Sequence, residues 1–214
     1  MSPHAELQTR LKPWAAYKPC LPWPAITPPS TSEWIHEIKH DGFRILARKD
    51  NGRVRLFTRN GYDFTTRYPL IVDAIMSLPA DRCLVDGEAI VTDTNGLSVF
   101  DLLRYRRHDQ SVMLCAFDIL ELDGTSFRPS PIEERKQHLA ALLRFLPPGI
   151  TLSPIYKDDG RTIYNHACAL GCEGIVSKRL GSPYHSGRTD QWLKVKNPLA
   201  AAARREREID WAKR

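Results

Sequence analysis

An early alternation of apolar and polar residues, broken by glycine-containing turns, constrains the fold most strongly. Residues 33–38 alternate in this way and predict a strand. Residues 43–58 predict two further strands joined at Asn51-Gly52, a pair typical of two-residue hairpin turns. Strands joined by so short a turn pair in antiparallel fashion. The stretch therefore predicts a sheet that contains hairpins.

A lysine follows the first of these strands. Lys39 precedes Asp41-Gly42, which is a turn signal, so we expect its amine at a strand end with its tip free to enter a cleft. A lysine on such a support can act as a nucleophile when nearby positive charge or desolvation lowers the pKa of the amine. The alternative for so short a motif is a solvated hairpin end. The rest of the chain has to decide between these interpretations.

Charge and cysteine usage narrow the class of protein. The 31 Lys and Arg residues against 25 Asp and Glu residues give a net charge of +6, which permits a polyanionic partner without demanding one. Five cysteines without a C-x-x-C pair predict a reduced, intracellular chain without disulfides. His166, Cys168 and Cys172 lie close together, but no second ligand pair follows, so a zinc site is not expected. Neither a signal peptide nor a membrane-spanning run is visible.

The chain divides into three parts. Residues 1–32 are rich in proline and aromatic residues and predict an extended arm packed on a surface, or alternatively a proline-rich ligand for another domain. Residues 33–198 predict one domain. Residues 199–214 predict a charged, alanine-rich C-terminal helix.

Within the domain, the pattern predicts mixed helices and strands rather than strict strand–helix alternation. Helices are predicted at 68–78, 99–105, 130–146 (from a capping box at its start) and 162–170; strands at 83–91, 112–120, 150–156, 173–179 and 191–196; and a polar loop at 183–190. This mixture favours an α+β fold with antiparallel sheets. Glycine-rich phosphate loops are absent from the sequence, so any nucleotide must be held by side chains.

Charged residues recur at the predicted strand ends. They are Lys39 with Arg44, Arg59, Glu88, Glu173, and Lys194 with Lys196. Each could be a solvated charge, but jointly they suggest a nucleophile, cations for phosphate oxygens and carboxylates for a divalent metal. That combination suits phosphoryl or nucleotidyl transfer. Asp86-Gly87-Glu88 also places charge inside a strand, where a metal or hydroxyl partner is expected.

The order of six motifs resembles the covalent nucleotidyltransferase superfamily. The motifs are KHDGFR (39–44), TRNG (58–61), DGE (86–88), AFDILELDG (116–124), EGIVSKR (173–179) and WLKVK (192–196). Over residues 34–198 the sequence is most similar to the adenylation domain of ATP-dependent DNA ligases, especially the ligase modules of bacterial end-joining proteins. The resemblance implies a nucleotidyltransferase (ATP-grasp-like) fold, in which two mainly antiparallel sheets flanked by helices enclose a nucleotide cleft.

The resemblance also implies roles for individual residues. Lys39 would attack the α-phosphorus of ATP and carry AMP. ATP would be bound by Glu37, Ile38, Arg44, Arg59, Glu88, Phe117, Lys178, Lys194 and Lys196, and Mg²⁺ or Mn²⁺ by Glu88 and Glu173. Among these, Glu37 and the backbone of Ile38 would read the adenine edge, and Phe117 would stack on the base unless it is simply a core residue. The cations around Lys39 are expected to favour its neutral amine.

The implied substrate is nicked or broken double-stranded DNA in the bacterial cytoplasm, in association with the nucleoid and with no membrane. The family normally continues into an OB-fold barrel of about a hundred residues. Only 17 residues follow Asn197 here, so we expect no OB-fold in this chain and a separate OB-fold or end-joining protein as a partner. Two alternatives stay open: an RNA ligase or capping-type nucleotidyltransferase, and a non-catalytic nucleic-acid-binding relative.

Overall fold

The computed structural model describes residues 18–106, 108–201 and 203. The strands in this part are β1 (Cys20–Pro24), β2 (Trp34–Ile38), β3 (Phe43–Asp50), β4 (Arg53–Thr58), β5 (Arg82–Ile90), β6 (Met113–Leu122), β7 (Thr125–Ser126), β8 (Ile150–Leu152), β9 (Gly174–Arg179) and β10 (Gly187–Lys196). The helices are α1 (Pro69–Ser77), α2 (Phe100–Arg104), α3 (Ile132–Leu142) and α4 (Gly160–Ala169), with a 3₁₀ turn at Asp109–Ser111.

The strands form two sheets. The first sheet has the order β1-β10-β9-β2, in which β1 runs parallel to β10 and the other neighbours are antiparallel. The second has the order β4-β3-β5-β6-β7 with antiparallel neighbours, and β8 pairs in parallel with β6. The predicted α+β fold with two mainly antiparallel sheets is confirmed.

Facing sides of the two sheets enclose one apolar cluster. Ile35 of β2 and Trp192 of β10 meet Leu46 of β3 and Leu84 of β5 there, and all four are buried. A larger cluster covers the other face of the second sheet, where α1 packs with Ile71, Ala74 and Ile75. A smaller cluster lies between the first sheet and α4. This layering leaves the polar strand ends between the sheets for a site.

The hairpin interpretation of the Lys39 region is wrong. β2 pairs with β9 in the first sheet, whereas β3 pairs with β4 and β5 in the second, so residues 39–42 cross from one sheet to the other. Local alternation specifies the two faces of a strand but not its partner strand. The Asn51-Gly52 hairpin between β3 and β4 is confirmed, with both residues at positive φ.

Three elements also differ from the prediction in their boundaries. The predicted capping box at 130–133 does not form: α3 starts at Ile132 without a side-chain cap, and the Glu133 carboxylate instead accepts from the backbone N–H of Gly181. The same helix ends at Leu142. The strand predicted at 150–156 is confined to β8, and β10 already begins at Gly187, inside the predicted loop.

The two ends of the chain are described only in part. Within the predicted arm, β1 is an edge strand, and Trp23 is 52% exposed rather than a buried anchor. Residues 1–17 of that arm lie outside the described residues. The predicted helix at 199–214 is helical at Ala201 and Ala203, and its remainder from 204 lies outside them as well. Within the described ranges, no helix combines the length and apolar character needed to cross a bilayer.

Candidate active site

A cleft of about 580 Å³ opens between the facing sides of the two sheets. Nine of the predicted site residues line it: Glu37, Ile38, Lys39, Arg44, Arg59, Glu88, Phe117, Lys178 and Lys194. Strand alternation explains the convergence, because side chains two residues apart on one strand point to the same face. On β10, for example, buried Trp192 and cleft-lining Lys194 share the face toward the second sheet.

Lys39 lies at the mouth of this cleft, directly after β2. Its backbone N–H donates to the carbonyl of Gly174 at 2.9 Å, which ties the residue to the start of β9. Its Nζ atom is 2.6 Å from Glu173 Oε2, and the side chain of Lys39 is 22% exposed. The amine therefore does not point into open solvent. Its contact is a carboxylate, whereas the sequence predicted surrounding cations.

Two carboxylates accompany the amine. Burial raises the pKa of Glu88 to about 7, with Glu173 and Asp86 acting in the same direction and the cations Lys39 and Arg44 acting against it. Burial also raises the pKa of Glu173, and Lys39 opposes that rise. Ionising both carboxylates is thus unfavourable without further positive charge. This is the condition under which a bound cation stabilises a site.

The carboxylate pair fits a hard divalent cation. Mg²⁺ usually takes one or two protein carboxylates and fills its other positions with water and substrate phosphate oxygens. Glu88 and Glu173 are the residues that would hold it. Among the described residues, no group of three or more His, Cys, Asp and Glu side chains is arranged as a metal centre, and this includes His166, Cys168 and Cys172.

The predicted phosphate-binding cations occupy different positions. Lys194 and exposed Arg59 line the cleft, and Arg59 belongs to a turn that Gly61 closes at a φ of 84°. Lys196 does not line the cleft. It pairs in register with Gly174, and its charge acts on neighbouring Glu173.

Arg44 is held by the protein itself. Its Nε and Nη2 atoms donate to the two carboxylate oxygens of Asp86 at 2.5 and 2.7 Å, and Asp86 also accepts from the Tyr184 hydroxyl at 2.6 Å. Arg44 Nη2 additionally reaches the carbonyl of Cys20 at 3.3 Å. The Asp86 carboxylate, which lies inside β5, therefore has an arginine and a hydroxyl as partners. The same network joins β3 and β5 to β1 of the other sheet.

Phe117 lies both in the core and in the cleft wall, and its stacking on a base stays a prediction. It packs against the apolar cluster between the sheets and also lines the cleft. The Arg44 guanidinium carbon and Lys178 Nζ each lie 4.4 Å from the centre of its ring, and Trp192 meets it edge-on at 6.3 Å. Its ring is thus part of the cleft wall and in contact with cations.

Glu37 is buried at the base of the cleft, with an exposed fraction of 2%. Its Oε1 atom contacts Lys136 Nζ and lies 2.8 Å from Lys178 Nζ, and its Oε2 atom accepts from the Ser153 hydroxyl at 3.1 Å. Sequence reasoning missed Lys136, Ser153 and Tyr184. One signal was available for Lys136. This lysine lies next to Arg135 on the face of α3 that carries the buried apolar residues.

This chain is similar to known DNA ligases. Residues 25–196 match the family model described as ATP dependent DNA ligase domain. The multifunctional non-homologous end joining protein LigD of Pseudomonas aeruginosa is 38% identical over 176 residues, which are 80% of this chain and 21% of that protein. The SPbeta prophage-derived DNA ligase-like protein LigB of Bacillus subtilis is 31% identical over 79% of this chain and 63% of its own length. The chain thus spans about a fifth of the first relative and under two thirds of the second.

Solved structures show the same fold. The ligase domain of M. tuberculosis LigD superposes with a TM-score of 0.77 at 32% identity, covering 86% of this chain and 61% of that one. A mycobacterial DNA ligase D complexed with ATP and MES has a TM-score of 0.75 at 30% identity, covering 85% and 60%. The predicted nucleotidyltransferase fold is confirmed. On the match of residues 25–196, this chain belongs to the ATP-dependent DNA ligase domain family.

Proposed function

We propose that this chain is the adenylation domain of an ATP-dependent DNA ligase and that Lys39 is its nucleophile. The observation that carries the proposal is the position of the Lys39 amine. It lies at the mouth of a cleft between two sheets, 2.6 Å from Glu173, and its charge acts on Glu88. A lysine, two carboxylates and the nearby cations Lys194 and Arg59 are the groups that nucleotidyl transfer requires.

The first step forms a bond between Lys39 Nζ and the α-phosphorus of ATP and breaks the bond from that phosphorus to the β-phosphate oxygen. Pyrophosphate leaves and AMP remains as a phosphoramidate. The amine has to lose a proton, and Glu173 Oε2 is within hydrogen-bond distance to accept it. Lys194, which lines the cleft, would neutralise charge on the α-phosphate. A divalent ion held by Glu88 and Glu173 would add charge neutralisation and orient the pyrophosphate.

The remaining steps act on DNA. The 5′-phosphate of a nick attacks the phosphorus of the lysyl-AMP, which releases Lys39 and leaves AMP on the DNA end. The neighbouring 3′-hydroxyl then displaces AMP and closes the strand. Arg59, which is exposed and lines the cleft, would contact phosphate. We further propose that an OB-fold or end-joining protein assists these steps.

The decisive test is covalent labelling with α-labelled ATP and Mg²⁺, followed by denaturing electrophoresis. Wild-type protein should retain label that Lys39→Ala lacks. Lys49→Met is the control, because Lys49 is a buried lysine that donates to the carbonyls of Met76 and Leu78 and does not line the cleft. This control should be labelled like the wild type. Addition of unlabelled nicked DNA should transfer the label to the DNA.

Three results would contradict the proposal. Label that persists on Lys39→Ala would show that another group is the nucleophile. Wild-type protein that stays unlabelled, even when an OB-fold domain is supplied, would remove the catalytic assignment. Labelling by GTP but not by ATP would favour a capping-type enzyme instead.

A further inference from the structure

The buried cluster around Glu37 contains more positive charge than the carboxylate needs. Two ammonium groups, those of Lys136 and Lys178, lie against the single oxygen Oε1. The second oxygen, Oε2, accepts from Ser153. Three separate elements thus converge on one carboxylate: β9 supplies Lys178, α3 supplies Lys136, and the segment after β8 supplies Ser153.

The two cations of α3 serve different carboxylates. Arg135 is fully buried and donates to both oxygens of Asp118, at 2.8 and 3.0 Å, and also to the carbonyls of Ser130 and Ser182. Neither Arg135 nor Asp118 lines the cleft. This pair is therefore a packing feature. Lys136, one residue later, contacts a carboxylate that does line the cleft.

The Glu37 carboxylate has acceptor capacity left over. The two ammonium groups contact Oε1 and the Ser153 hydroxyl donates to Oε2, which uses three acceptor directions. A carboxylate has about four lone-pair directions, and leaving a buried acceptor without a hydrogen bond is unfavourable. A donor entering the cleft from a ligand would satisfy it. The adenine ring offers such a donor in its exocyclic 6-amino group, whereas guanine presents a carbonyl oxygen at that position.

We propose that Lys136 is a positioning residue for base selection, which holds the Glu37 carboxylate so that it accepts a hydrogen bond from the 6-amino group of adenine. The inference rests on the proposed function, in which Glu37 reads the base. Lys136 does not line the cleft and acts only through Glu37. It keeps the acceptor ionised and oriented, and a purine with an acceptor at position 6 is then rejected.

The electrostatics of the cluster are consistent with this role. Burial by itself would raise the pKa of Glu37, but Lys136 and then Lys178 oppose it, and the pKa of the carboxyl is lowered as a result. Burial lowers the pKa of Lys178 to about 8, although Glu37 acts against that change. Lys136 is therefore the partner whose removal should most weaken Glu37 as an acceptor.

The test is equilibrium binding of three nucleotides in a Lys39→Ala background, which blocks the covalent step. The nucleotides are ATP, GTP and purine riboside triphosphate, which lacks the 6-amino group. With Lys136 intact, ATP should bind about ten-fold or more tightly than either of the others, the range of a hydrogen bond to a charged group. Lys136→Met should reduce that preference to within about two-fold, and Lys136→Arg should restore part of it.

Further variants separate positioning from a purely structural role. Lys49→Met loses a buried lysine outside the cleft and should keep the full preference. Glu37→Gln should also lose the preference, and adding Lys136→Met to Glu37→Gln should change it no further, because one acts through the other. Thermal unfolding of each variant shows that it is folded.

The outcomes are distinct. If Lys136→Met lowers thermal stability but keeps the wild-type preference for ATP, Lys136 only supports packing and the inference is overturned. An additive effect on top of Glu37→Gln overturns it as well. If the three nucleotides bind with the predicted pattern while wild-type protein takes up no label, the adenylation proposal fails and the role of Lys136 stands.

Discussion

Glu88 lies in β5 beside the proposed nucleophile, where burial and two neighbouring carboxylates disfavour its charge. Its pKa is raised to about 7 mainly by burial, despite the opposing charges of Lys39 and Arg44. A glutamate in the unfolded chain titrates near 4.3. The pKa of Glu88 is thus higher in the folded state than in the unfolded state, so protonation of Glu88 stabilises the folded state. This stabilisation is fully present below pH 4.3 and is lost as the pH rises through about 7.

Glu88→Gln should therefore flatten the pH dependence of stability. Between pH 5 and pH 8, without divalent cations, wild-type protein should lose about 2–3 kcal/mol of unfolding free energy more than the variant does. Urea unfolding at both pH values measures the difference. Parallel pH dependences for the two proteins would contradict this prediction. They would mean that nearby positive charge offsets the burial of the Glu88 carboxylate in the folded state.

The crossover from β2 to β3 is the element that positions Lys39. It is short, and it packs tightly on β5: a Cβ atom added at Gly42 would lie 2.3 Å from the carbonyl oxygen of Ala89 and 2.9 Å from Glu88 Cγ. The first of these atoms belongs to backbone and cannot move alone. Gly42 is thus needed for close approach, which keeps the crossover next to the carboxylates.

We expect Gly42→Ala to lower the free energy of unfolding by about 3 kcal/mol, the upper part of the range for overpacking. It should also reduce covalent labelling, because the crossover has to shift and carries Lys39 with it. Gly52→Ala is the control: it has a φ of 77° and open space around it, so it should cost about 1 kcal/mol and leave labelling intact. Chemical denaturation and the labelling assay read out both effects. A Gly42→Ala protein as stable and active as wild type would disprove the packing argument.

At the scale of the whole molecule, the apolar cluster between the sheets makes them one folding unit. Trp192 is 1% exposed and belongs to the first sheet, yet it packs with Leu46 and Leu84 of the second. Tyr184 meets the same indole edge-on at 5.9 Å. The cleft exists because this cluster holds the sheets together below it.

Trp192→Ala should accordingly lower stability by about 3–5 kcal/mol, as expected for loss of a buried aromatic side chain. Unfolding should remain a single transition that coincides by fluorescence and circular dichroism. Trp23→Ala, which removes a half-exposed indole from the edge strand β1, should cost less than about 1 kcal/mol. Two separate transitions in the wild-type protein would show that the sheets fold independently.

The sequence alone determined the nature of the strands, the faces of their side chains and the identity of nine cleft residues. Alternation on β10 put Lys194 and Lys196 on one face, and the motif order selected Lys39, Glu88 and Glu173 as one set, which the structure brings together. These features depend on local periodicity or on short motifs, so they can be read without a partner strand.

Apart from the β3–β4 hairpin, only the tertiary structure decided which strands pair and which charges meet. The pairing of β2 with β9, the contact of Lys39 with a carboxylate instead of cations, and the approach of Lys136 to Glu37 all join residues far apart in the chain. Such contacts follow from how the two sheets and α3 pack together. A strand's own pattern tells which face is buried, but the group that meets that face is set by elements elsewhere in the chain.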